Sequence, residues 1–473
     1  MSNGYTRRDL LKAAGYAGLG LPTAGMLGCS EGGTGAGTPA SQLRSVSVAA
    51  RSYASGISDY KALVCIYLIG GNDAYNMLVP STPELYGLYA KARPQLALPQ
   101  DKLLPLNGTA ADGGTYSAHP GMSELAALYN AGQAALLSNV GNLLSPTSRA
   151  DYDAGRVPPS LFSHLDQANQ WQSTPGESSI LTGWAGRAAD VLAGVNGSSE
   201  LPLNLSIAGA DTLQRGIGDS AFVMSPDGVT ALDNLPVGTA SLRATFNRLL
   251  AMSRSNPLAQ VHDATLARGI RLNSLIGSLL RKQPRLATRF PGTTLGAQLR
   301  LVAQLIGLRE ALGMKRQIFY VAMGNNPDSF GAFDTHFHQL LAQPRLFKQL
   351  SEGIKAFYDA TVELGVAGNV TSFTASDFGR SLVENENNGT DHGWGGHHWI
   401  VGGAVRGSRI YGTPPSLEVD GADDTDNGRF IPSTSVEEYG ATLIRWLDVA
   451  DSDLDSVFPN LYRFGSRDMG FMT

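Results

Sequence analysis

Five short clusters of Asp, Ser and His residues are the parts of this sequence that could do chemistry. The chain has eight histidines, and six of them fall in these clusters. Histidine is the commonest metal ligand and titrates near neutral pH, so its clustering predicts metal binding or acid–base catalysis. The clusters occupy residues 70–73, 162–166, 333–339, 376–380 and 391–399.

The densest cluster carries Asp334, His336 and His338 within five residues. In an extended segment all three side chains share one face, and in a helix Asp334 and His338 do. A carboxylate with two imidazoles is ordinary zinc or iron chemistry. We therefore predict that this segment supplies metal ligands.

Two aspartates directly follow predicted strands: Asp73 and Asp377. Ligands of open α/β sheets bind beyond the carboxyl ends of the strands, so both are candidate metal ligands. A turn or a helix N-cap is the alternative for Asp73. Arg380 is a candidate donor to a substrate oxyanion, and a buried ion pair with an acidic neighbour is the alternative.

Ser163 opens a predicted helix, and a helix N-terminus stabilises an anion or a developing alkoxide. Ser163 and its neighbour His164 are therefore candidate catalytic residues, with a simple N-cap as the alternative for Ser163. Further along, Asp391 and His392 can supply a metal ligand and the partner that orients it. The alternative there is a polar, glycine-rich surface loop.

A largely parallel sheet would bring these clusters together. Continuous apolar runs typical of strands buried on both faces lie at 62–69, 134–140, 203–207, 317–323 and 369–375. Helical periodicity lies between them, for example at 123–131 and 183–192. The alternation predicts a three-layer α/β/α fold with a mostly parallel central sheet, and hence several clusters at one sheet edge.

Two further helical regions are predicted. Leucines recur at spacings of three and four through residues 239–312, which predicts a helical insertion that packs on the core or caps the site. Residues 433–449 form an amphipathic pattern in which Ser435 and Glu438 make a capping box. The folded domain is predicted to span residues 59–473.

The first residues are typical of an export signal. Arg7 and Arg8, followed by Leu-Leu-Lys, match a twin-arginine signal, and a chance pair before a short helix is the alternative. Residues 26–29 resemble a lipoprotein cleavage box with Cys29 as the lipidated residue, and a plain cleaved signal is the alternative. We therefore assign residues 1–29 to the signal and residues 30–58 to a flexible tether.

This assignment predicts a periplasmic or cell-surface protein. Its partner would be the twin-arginine export machinery, and a lipid on Cys29 would be its one contact with a membrane. Of the two cysteines in the chain, the other, Cys65, is predicted to be an inert core residue. The oligomeric state is not indicated by the sequence.

Composition excludes several classes of protein. The 473 residues are 42% hydrophobic and 16% charged, which suits a folded globular protein and not an integral membrane bundle. Lys and Arg number 36 against 41 Asp and Glu, and no basic run follows the first residues, so nucleic-acid binding is not expected. Two cysteines cannot build a disulfide framework or a Cys-rich zinc site.

The order of these motifs resembles the alkaline phosphatase superfamily, which includes phosphatases and sulfatases. The residues within each motif are more similar to those of one exported bacterial family of that superfamily, the domain of unknown function family fifteen hundred and one. The motifs are Gly-Gly-Asn-Asp at 70–73, Phe-Ser-His at 162–164, Phe-Asp-Thr-His at 333–336, Ser-Asp-Phe-Gly-Arg at 376–380 and Asp-His-Gly-Trp-Gly-Gly at 391–396. The resemblance covers about residues 61–461 and implies an alkaline-phosphatase-like fold.

The resemblance also implies two metal ions that bridge a phosphate-like group. One ion would lie on Asp73 and Asp377 beside the nucleophile Ser163. The other would be held by Asp334, His338 and His392. Because the branch most often shows an Asp-Thr-His triplet, His336 can replace or assist His338.

The sequence departs from the characterised phosphatases at two places. Phe378 stands where a histidine ligand is expected after Asp377, and Asp391 has no plain counterpart. Ser163 is followed by His164, and no cysteine stands there for the modified nucleophile of sulfatases.

The resulting hypothesis is an exported, metal-dependent hydrolase of small-molecule or polymeric phosphate or sulfate esters, with one or two divalent ions, zinc or manganese. One alternative is a catalytically silent, metal-stabilised surface or assembly protein on the same fold. Another is a mononuclear metal enzyme built on Asp334 and His336 with a non-hydrolytic reaction.

Overall fold

The computed structural model describes residues 56–174, 182–218, 221–226, 248, 252, 255–324 and 332–473. Its strands are β1 (Lys61–Leu68), β2 (Leu78–Pro80), β3 (Leu104–Pro105), β4 (Tyr116–Ala118), β5 (Ala134–Gly141), β6 (Asn204–Ser206), β7 (Phe222–Val223), β8 (Arg316–Met323), β9 (Val370–Ser376), β10 (Arg380–Glu384), β11 (Thr390–His392), β12 (Gly396–Gly402), β13 (Ile410–Tyr411) and β14 (Thr434–Ser435).

The α-helices are α1 (Ala74–Met77), α2 (Pro83–Ala92), α3 (Ser123–Asn130), α4 (Arg149–Asp153), α5 (His164–Ser173), α6 (Trp184–Val191), α7 (Pro257–Lys282), α8 (Thr294–Gly307), α9 (Gln339–Glu363), α10 (Val436–Trp446) and α11 (Leu454–Val457). Short 3-10 helices lie at Gln100–Lys102, Ala367–Asn369, Asp451–Asp453 and Leu461–Arg463.

A nine-stranded sheet forms the centre of the protein, in the order β13-β5-β12-β9-β1-β8-β6-β7, with β14 also paired to β5. Strand β1 pairs in parallel with β8 and β9. Only β12 runs antiparallel to its neighbours within the described sheet, against β5 and β9. The predicted fold class, an α/β protein with a mostly parallel central sheet, is confirmed.

Both faces of the sheet are buried. Alternate residues of β1 enter two different apolar cores, with Val64 and Ile66 in one and Leu63 and Cys65 in the other. Helices α3, α7, α8 and α9 cover the first face, and α5, α6, α10 and α11 contribute to the second. This two-sided burial explains the continuous apolar runs of the sequence, and it confirms Cys65 as a core residue.

The register of the sheet places three strand ends side by side. Leu68, at the end of β1, lies opposite Met323 of β8 and Ser376 of β9. The segment after β8 returns to this edge, because the Phe333 amide donates to the Ile69 carbonyl at 2.9 Å. The clusters that follow these strands therefore meet at one edge of the sheet.

Most predicted elements are present with ends shifted by a few residues. The insertion contains α7 and α8, but most of residues 239–254 lie outside the described residues. So do the signal, Cys29 and nearly all of the tether. The capping box of Ser435 and Glu438 is confirmed. None of the helices in the described ranges combines the length and apolar character that a membrane crossing requires.

Candidate metal centre

Four side chains from three separate segments converge at this sheet edge: His164, Asp334, His336 and His392. Each offers a ligand atom, and these atoms all lie within 4.8 Å of one another. The three imidazole Nε2 atoms surround Asp334 Oδ1, at 3.3 Å for His164, 3.1 Å for His336 and 3.7 Å for His392. We call these four residues the metal centre and its three histidines the centre histidines.

The outer nitrogen of each centre histidine contacts an oxygen that can only accept a hydrogen bond. His164 Nδ1 lies 2.8 Å from Asp377 Oδ2, His336 Nδ1 lies 3.1 Å from Asp391 Oδ1, and His392 Nδ1 lies 2.6 Å from the Phe162 carbonyl. Each Nδ1 must therefore carry the proton. In a neutral ring this leaves the Nε2 lone pair directed inward.

This donor set fits a transition-metal ion. The inward Nε2 atoms of His336 and His392 are only 2.8 Å apart, so two lone pairs would repel unless a proton or a cation lies between them. Carboxylate or carbonyl partners on Nδ1 are the usual way in which proteins orient metal-binding imidazoles. Three imidazoles with one carboxylate suit zinc, manganese or iron better than magnesium or calcium.

The local chain geometry explains how these residues are held. His164 is the first residue of α5, and His392 ends β11, where it pairs with Arg380 of β10. His336 lies in the segment before α9, which the Thr390 amide ties to β11 by donating to the Thr335 carbonyl at 3.0 Å.

Arg380 fixes Asp334. Its side chain is fully buried and donates to Asp334 Oδ1 at 3.1 Å, to the Gly70 carbonyl at 2.8 Å and to the Thr390 carbonyl at 2.6 Å. Its donors are thus directed at protein groups. This agrees with the alternative given above for Arg380, a buried ion pair with an acidic neighbour. Arg380 holds the carboxylate oxygen that faces the histidines.

The charges at the centre reinforce this arrangement. Burial raises the pKa of Asp334, but hydrogen bonds from His164 and His392 and the charge of Arg380 hold it well below its usual value. Hydrogen bonds to Asp334 and Asp377 raise the pKa of His164 to about 9. Burial and the Arg380 charge lower the pKa of His336. A metal ion bound here would compete with the proton on His164.

The two strand-end aspartates have different positions. Asp377 is buried and accepts from the Gly70 amide at 3.0 Å as well as from His164, so it orients a ligand. Asp73 is 1% exposed and caps α1 through the Tyr75 amide. Its carboxylate pairs with the Arg93 guanidinium at 2.7 Å and also accepts from Gln339. Both carboxylates thus bond groups of the protein, and a second ion on Asp73 and Asp377 stays a prediction.

His338 lies apart from the metal centre, and Ser163 lies at the start of the helix that carries His164. His338 is exposed and lies outside the centre, because the chain turns through the left-handed region there (φ 46°) as α9 begins. His336, the alternative, occupies the centre instead. Ser163 is the N-cap of α5, and its hydroxyl donates to Asp166 Oδ2 at 2.6 Å.

Two contributions were missed from the sequence. His164 was expected to be catalytic, and the structure places it in the metal centre, where it offers a ligand atom. Phe378 was seen only as a lost ligand, yet its buried ring lies 4.7 Å from the His164 ring and 4.8 Å from the His392 ring, centroid to centroid. A Cβ on Gly71 would lie 2.2 Å from Phe378, so the glycine pair after β1 is the sequence signal for this close packing.

The segment at 391–399 is not a surface loop. It forms β11 and the start of β12, and both His397 and His398 are buried in β12. Asp391 Oδ1 lies 3.1 Å from His336 Nδ1 and orients that ring. It is not one of the four residues of the metal centre.

A family model described as "Protein of unknown function (DUF1501)" matches residues 60–429. No curated protein matches the sequence.

Among solved structures, Ps i-CgsB in complex with k-i-k-neocarrahexaose is similar with 10% identity and a TM-score of 0.35, over 87% of this chain and 78% of that chain. The PsFucS1 sulfatase from Pseudoalteromonas sp. is similar with 9% identity and a TM-score of 0.32, over 88% and 73%. BT1596, a 2-O GAG sulfatase, is similar with 9% identity and a TM-score of 0.32, over 83% and 71%. These sequence identities and TM-scores are too low to assign an activity to this chain.

Proposed function

We propose that this chain, which belongs to the DUF1501 family of proteins of unknown function, is a metal-dependent hydrolase of phosphate or sulfate esters. The observation that carries the proposal is the set of three inward-facing Nε2 atoms around Asp334, each with its Nδ1 proton fixed by an acceptor. The order of the sequence motifs, which resembles the alkaline phosphatase superfamily, supports the substrate class.

The centre histidines and Asp334 would hold one ion, since no second group of this kind lies within the described ranges. An ion bound there supplies Lewis-acid polarisation and lowers the pKa of a coordinated water or alcohol. Asp377 and Asp391 keep His164 and His336 in the ligating tautomer. Arg380 fixes Asp334.

Solvent access favours a catalytic over a purely structural ion. The side chains of the centre are 24% to 38% exposed, with His392 the least and Asp334 the most. Four protein ligands close a tetrahedral zinc site, whereas manganese or iron takes further ligands and keeps a position open for water or substrate. We therefore put manganese ahead of zinc.

Ser163 is retained as the proposed nucleophile. It directly precedes His164, and the Phe162 carbonyl on its other side accepts from His392, so its backbone is anchored at the centre. Its hydroxyl already donates to Asp166 Oδ2, a carboxylate within reach to accept the proton when the hydroxyl attacks.

The metal content of the mature protein tests the proposal. We expect about one equivalent of manganese or zinc in protein purified without chelator and measured by inductively coupled plasma mass spectrometry, together with hydrolysis of aryl phosphate or aryl sulfate. His336→Ala should lose both metal and activity. His338→Ala, two residues away and outside the centre, is the matched control and should keep both. Folded protein that neither contains nor takes up metal would contradict the proposal.

The role of Ser163 is tested separately by a pair of substitutions. Ser163→Asn keeps an N-cap and removes the hydroxyl, while Ser163→Ala removes both. A nucleophile predicts loss of at least about 100-fold in kcat for both variants with metal retained. Activity in Ser163→Asn near that of the wild type would leave Ser163 as a cap only.

A second candidate function is a catalytically silent protein that the metal stabilises. It is favoured by the structural bonds of Asp73, Arg380 and Ser163, three residues that the sequence suggested for chemistry. It predicts bound metal and a lower melting temperature after chelation, with no turnover across phosphate and sulfate esters.

We further infer export through the twin-arginine signal at residues 1–29, with lipid attached at Cys29. Changing Arg7 and Arg8 to Lys should leave the protein in the cytoplasm, and Cys29→Ser should release it from the membrane fraction. Fractionation and immunoblotting measure both. Normal export of the double Lys variant would contradict the assignment.

A further inference from the structure

A cavity of about 30 Å³ lies away from the metal centre, between the segment after β5, helix α5 and the start of α10. Five polar side chains line it: Asn142, Thr174, Gln170, Glu437 and Asn460. Of these, Asn142, Gln170 and Glu437 are 6%, 9% and 2% exposed, respectively. Polar groups at this depth normally have partners, because an unpaired buried acceptor costs about 1–3 kcal/mol.

The orientation of both amides is fixed by what their nitrogens bind. Asn142 Nδ2 donates to the Gln167 carbonyl at 2.9 Å, and Gln170 Nε2 donates to the Pro159 carbonyl at 2.7 Å. Since carbonyl oxygens only accept, the amide nitrogens must occupy these positions. Asn142 Oδ1 and Gln170 Oε1 therefore point elsewhere, and neither has a hydrogen-bond partner within the described residues.

Glu437 adds a carboxylate oxygen to the same cavity. Its Oε1 accepts from Asn460 Nδ2 at 3.0 Å, while Oε2 is buried and has no partner in the described ranges. Glu437 lies in the first turn of α10, where the helix dipole favours a negative charge. Three residues that line the cavity thus each have a buried acceptor oxygen without a partner in the described ranges.

We propose that this cavity is a second cation site, which binds a hard, oxygen-coordinated ion of the class of Ca²⁺ or Na⁺ on Glu437, Asn142 and Gln170. An all-oxygen set suits these ions, in contrast to the histidine-rich metal centre. The cavity has room for about one water molecule. Mg²⁺ is excluded because it keeps several of its waters.

The ionisation of Glu437 would be coupled to binding of the ion. Burial raises the pKa of Glu437 to about 7, while the Asn460 hydrogen bond and the charges of Arg187 and Arg463 act in the opposite direction. An ion on Oε2 would favour the ionised carboxylate.

The site would also support the metal centre. Gln170 lies on α5, the helix that begins at His164. On the same helix, Gln167 receives the Asn142 amide through its carbonyl and donates from its side chain to the Gly393 carbonyl at 3.3 Å, next to His392. An ion in the cavity would therefore hold helix α5 in place. This helix carries His164 and, through Gln167, contacts Gly393, the neighbour of His392.

Thermal unfolding of the chelated, full-length protein tests the proposal. We expect CaCl₂, or NaCl compared with choline chloride at equal ionic strength, to raise the melting temperature by roughly 3–5 °C at saturation. Glu437→Gln should abolish this shift. Glu438→Gln, the adjacent capping residue, should keep it, and so should His336→Ala, which separates this site from the metal centre.

Direct binding keeps the proposal testable if Glu437→Gln does not fold. Equilibrium dialysis of the wild type with radioactive calcium, and sodium-23 NMR line broadening, should then show which ion binds. A melting temperature that is insensitive to Ca²⁺, Na⁺ and K⁺, or an equal shift in Glu437→Gln, would overturn it. In that case a protonated Glu437 with one water satisfies the same oxygens, and Glu437→Gln should be at least as stable as the wild type.

Discussion

The protein contains two sets of histidines that differ in which ring nitrogen carries the proton. The centre histidines donate from Nδ1 to carboxylate or carbonyl oxygens. Among the core histidines His119, His397 and His398, the Nδ1 atoms of the first two instead accept from backbone amides. The donors are the Gly121 amide, 2.8 Å from His119 Nδ1, and the Asn139 amide, 3.0 Å from His397 Nδ1.

This difference separates a ligand from a packing residue. A backbone amide can only donate, so it places the proton of His119 and His397 on Nε2 and removes the lone pair that a metal would need. The core histidines are at most 4% exposed. Burial lowers the pKa of His119 and His397 to about 4 and that of His398 to about 3, so all three are neutral near pH 7. For His119 and His397, as for the centre histidines, the group that faces Nδ1 thus sets the tautomer of the ring.

The largest expected effect comes from replacing one histidine of each set by alanine. His392→Ala should remove the bound metal and lower ester hydrolysis by about 1,000-fold or more, since a ligand is lost. His397→Ala should keep about one equivalent of metal but lower the free energy of unfolding by about 2–3 kcal/mol through a buried cavity. Metal analysis and urea unfolding of both variants measure the contrast. Metal retained in His392→Ala would erase the distinction between the sets.

A smaller effect is expected at the partners of the centre histidines. Asp391→Asn can present its amide group to His336 Nδ1 and favour the wrong tautomer. We expect metal affinity to fall by about 10–100-fold with little loss of stability. Competition with a chelating dye measures the affinity. Asp423 bonds Ser416 and contacts none of the centre histidines through a side-chain hydrogen bond in the described structure, so Asp423→Asn serves as the control and should bind metal like the wild type.

The core histidines should make the protein sensitive to acid. Their pKa values are lowered on folding, so below pH 6.5 the unfolded chain binds more protons than the native state, and stability falls as the pH falls towards 4. Each should cost about 2 kcal/mol at most at pH 5.

Urea unfolding with chelator at pH 7 and pH 5 measures this loss. The side-chain oxygen of His119→Asn can still accept from the Gly121 amide. In this variant the free energy of unfolding should depend less steeply on pH, by the equivalent of about one bound proton. An unchanged slope would mean that His119 is not buried neutral.

The smallest effect is expected at His338. This exposed residue has φ 46° at the N-cap of α9, a conformation that Asn tolerates well at a position where Asn caps effectively. His338→Asn should leave metal content unchanged and alter the free energy of unfolding by less than about 0.5 kcal/mol, in the stabilising direction. A loss of metal would place His338 in the centre after all.

The parts of the fold set by burial on two sheet faces could be predicted from the sequence. Strands β1, β8 and β9 were predicted to within about one residue, because each is a continuous apolar run followed by glycine or a polar segment. Their common edge follows from parallel pairing, so the meeting of the clusters could be predicted too.

The choice among residues in a cluster could not be predicted. His336 and His338 have equivalent surroundings in the sequence, and only the left-handed turn before α9 separates them. The ion pair of Asp73 with Arg93 depends on α2 folding back across the sheet edge, which no local pattern indicates. The tautomer of His164 depends on Asp377, 213 residues away.

The wide separation of the centre residues along the chain has a consequence for metal loading. His392 and the Phe162 carbonyl that fixes it are 230 residues apart, and His336 lies between them. Closing loops of this length costs entropy that only the assembled sheet repays, so a nascent chain cannot assemble the complete ligand set. An ion bound at this centre would therefore enter after the sheet has formed. If the folded protein is then carried across the membrane, the metal that it holds is chosen by the free-ion concentrations of the compartment in which it folds, not of the one in which it works.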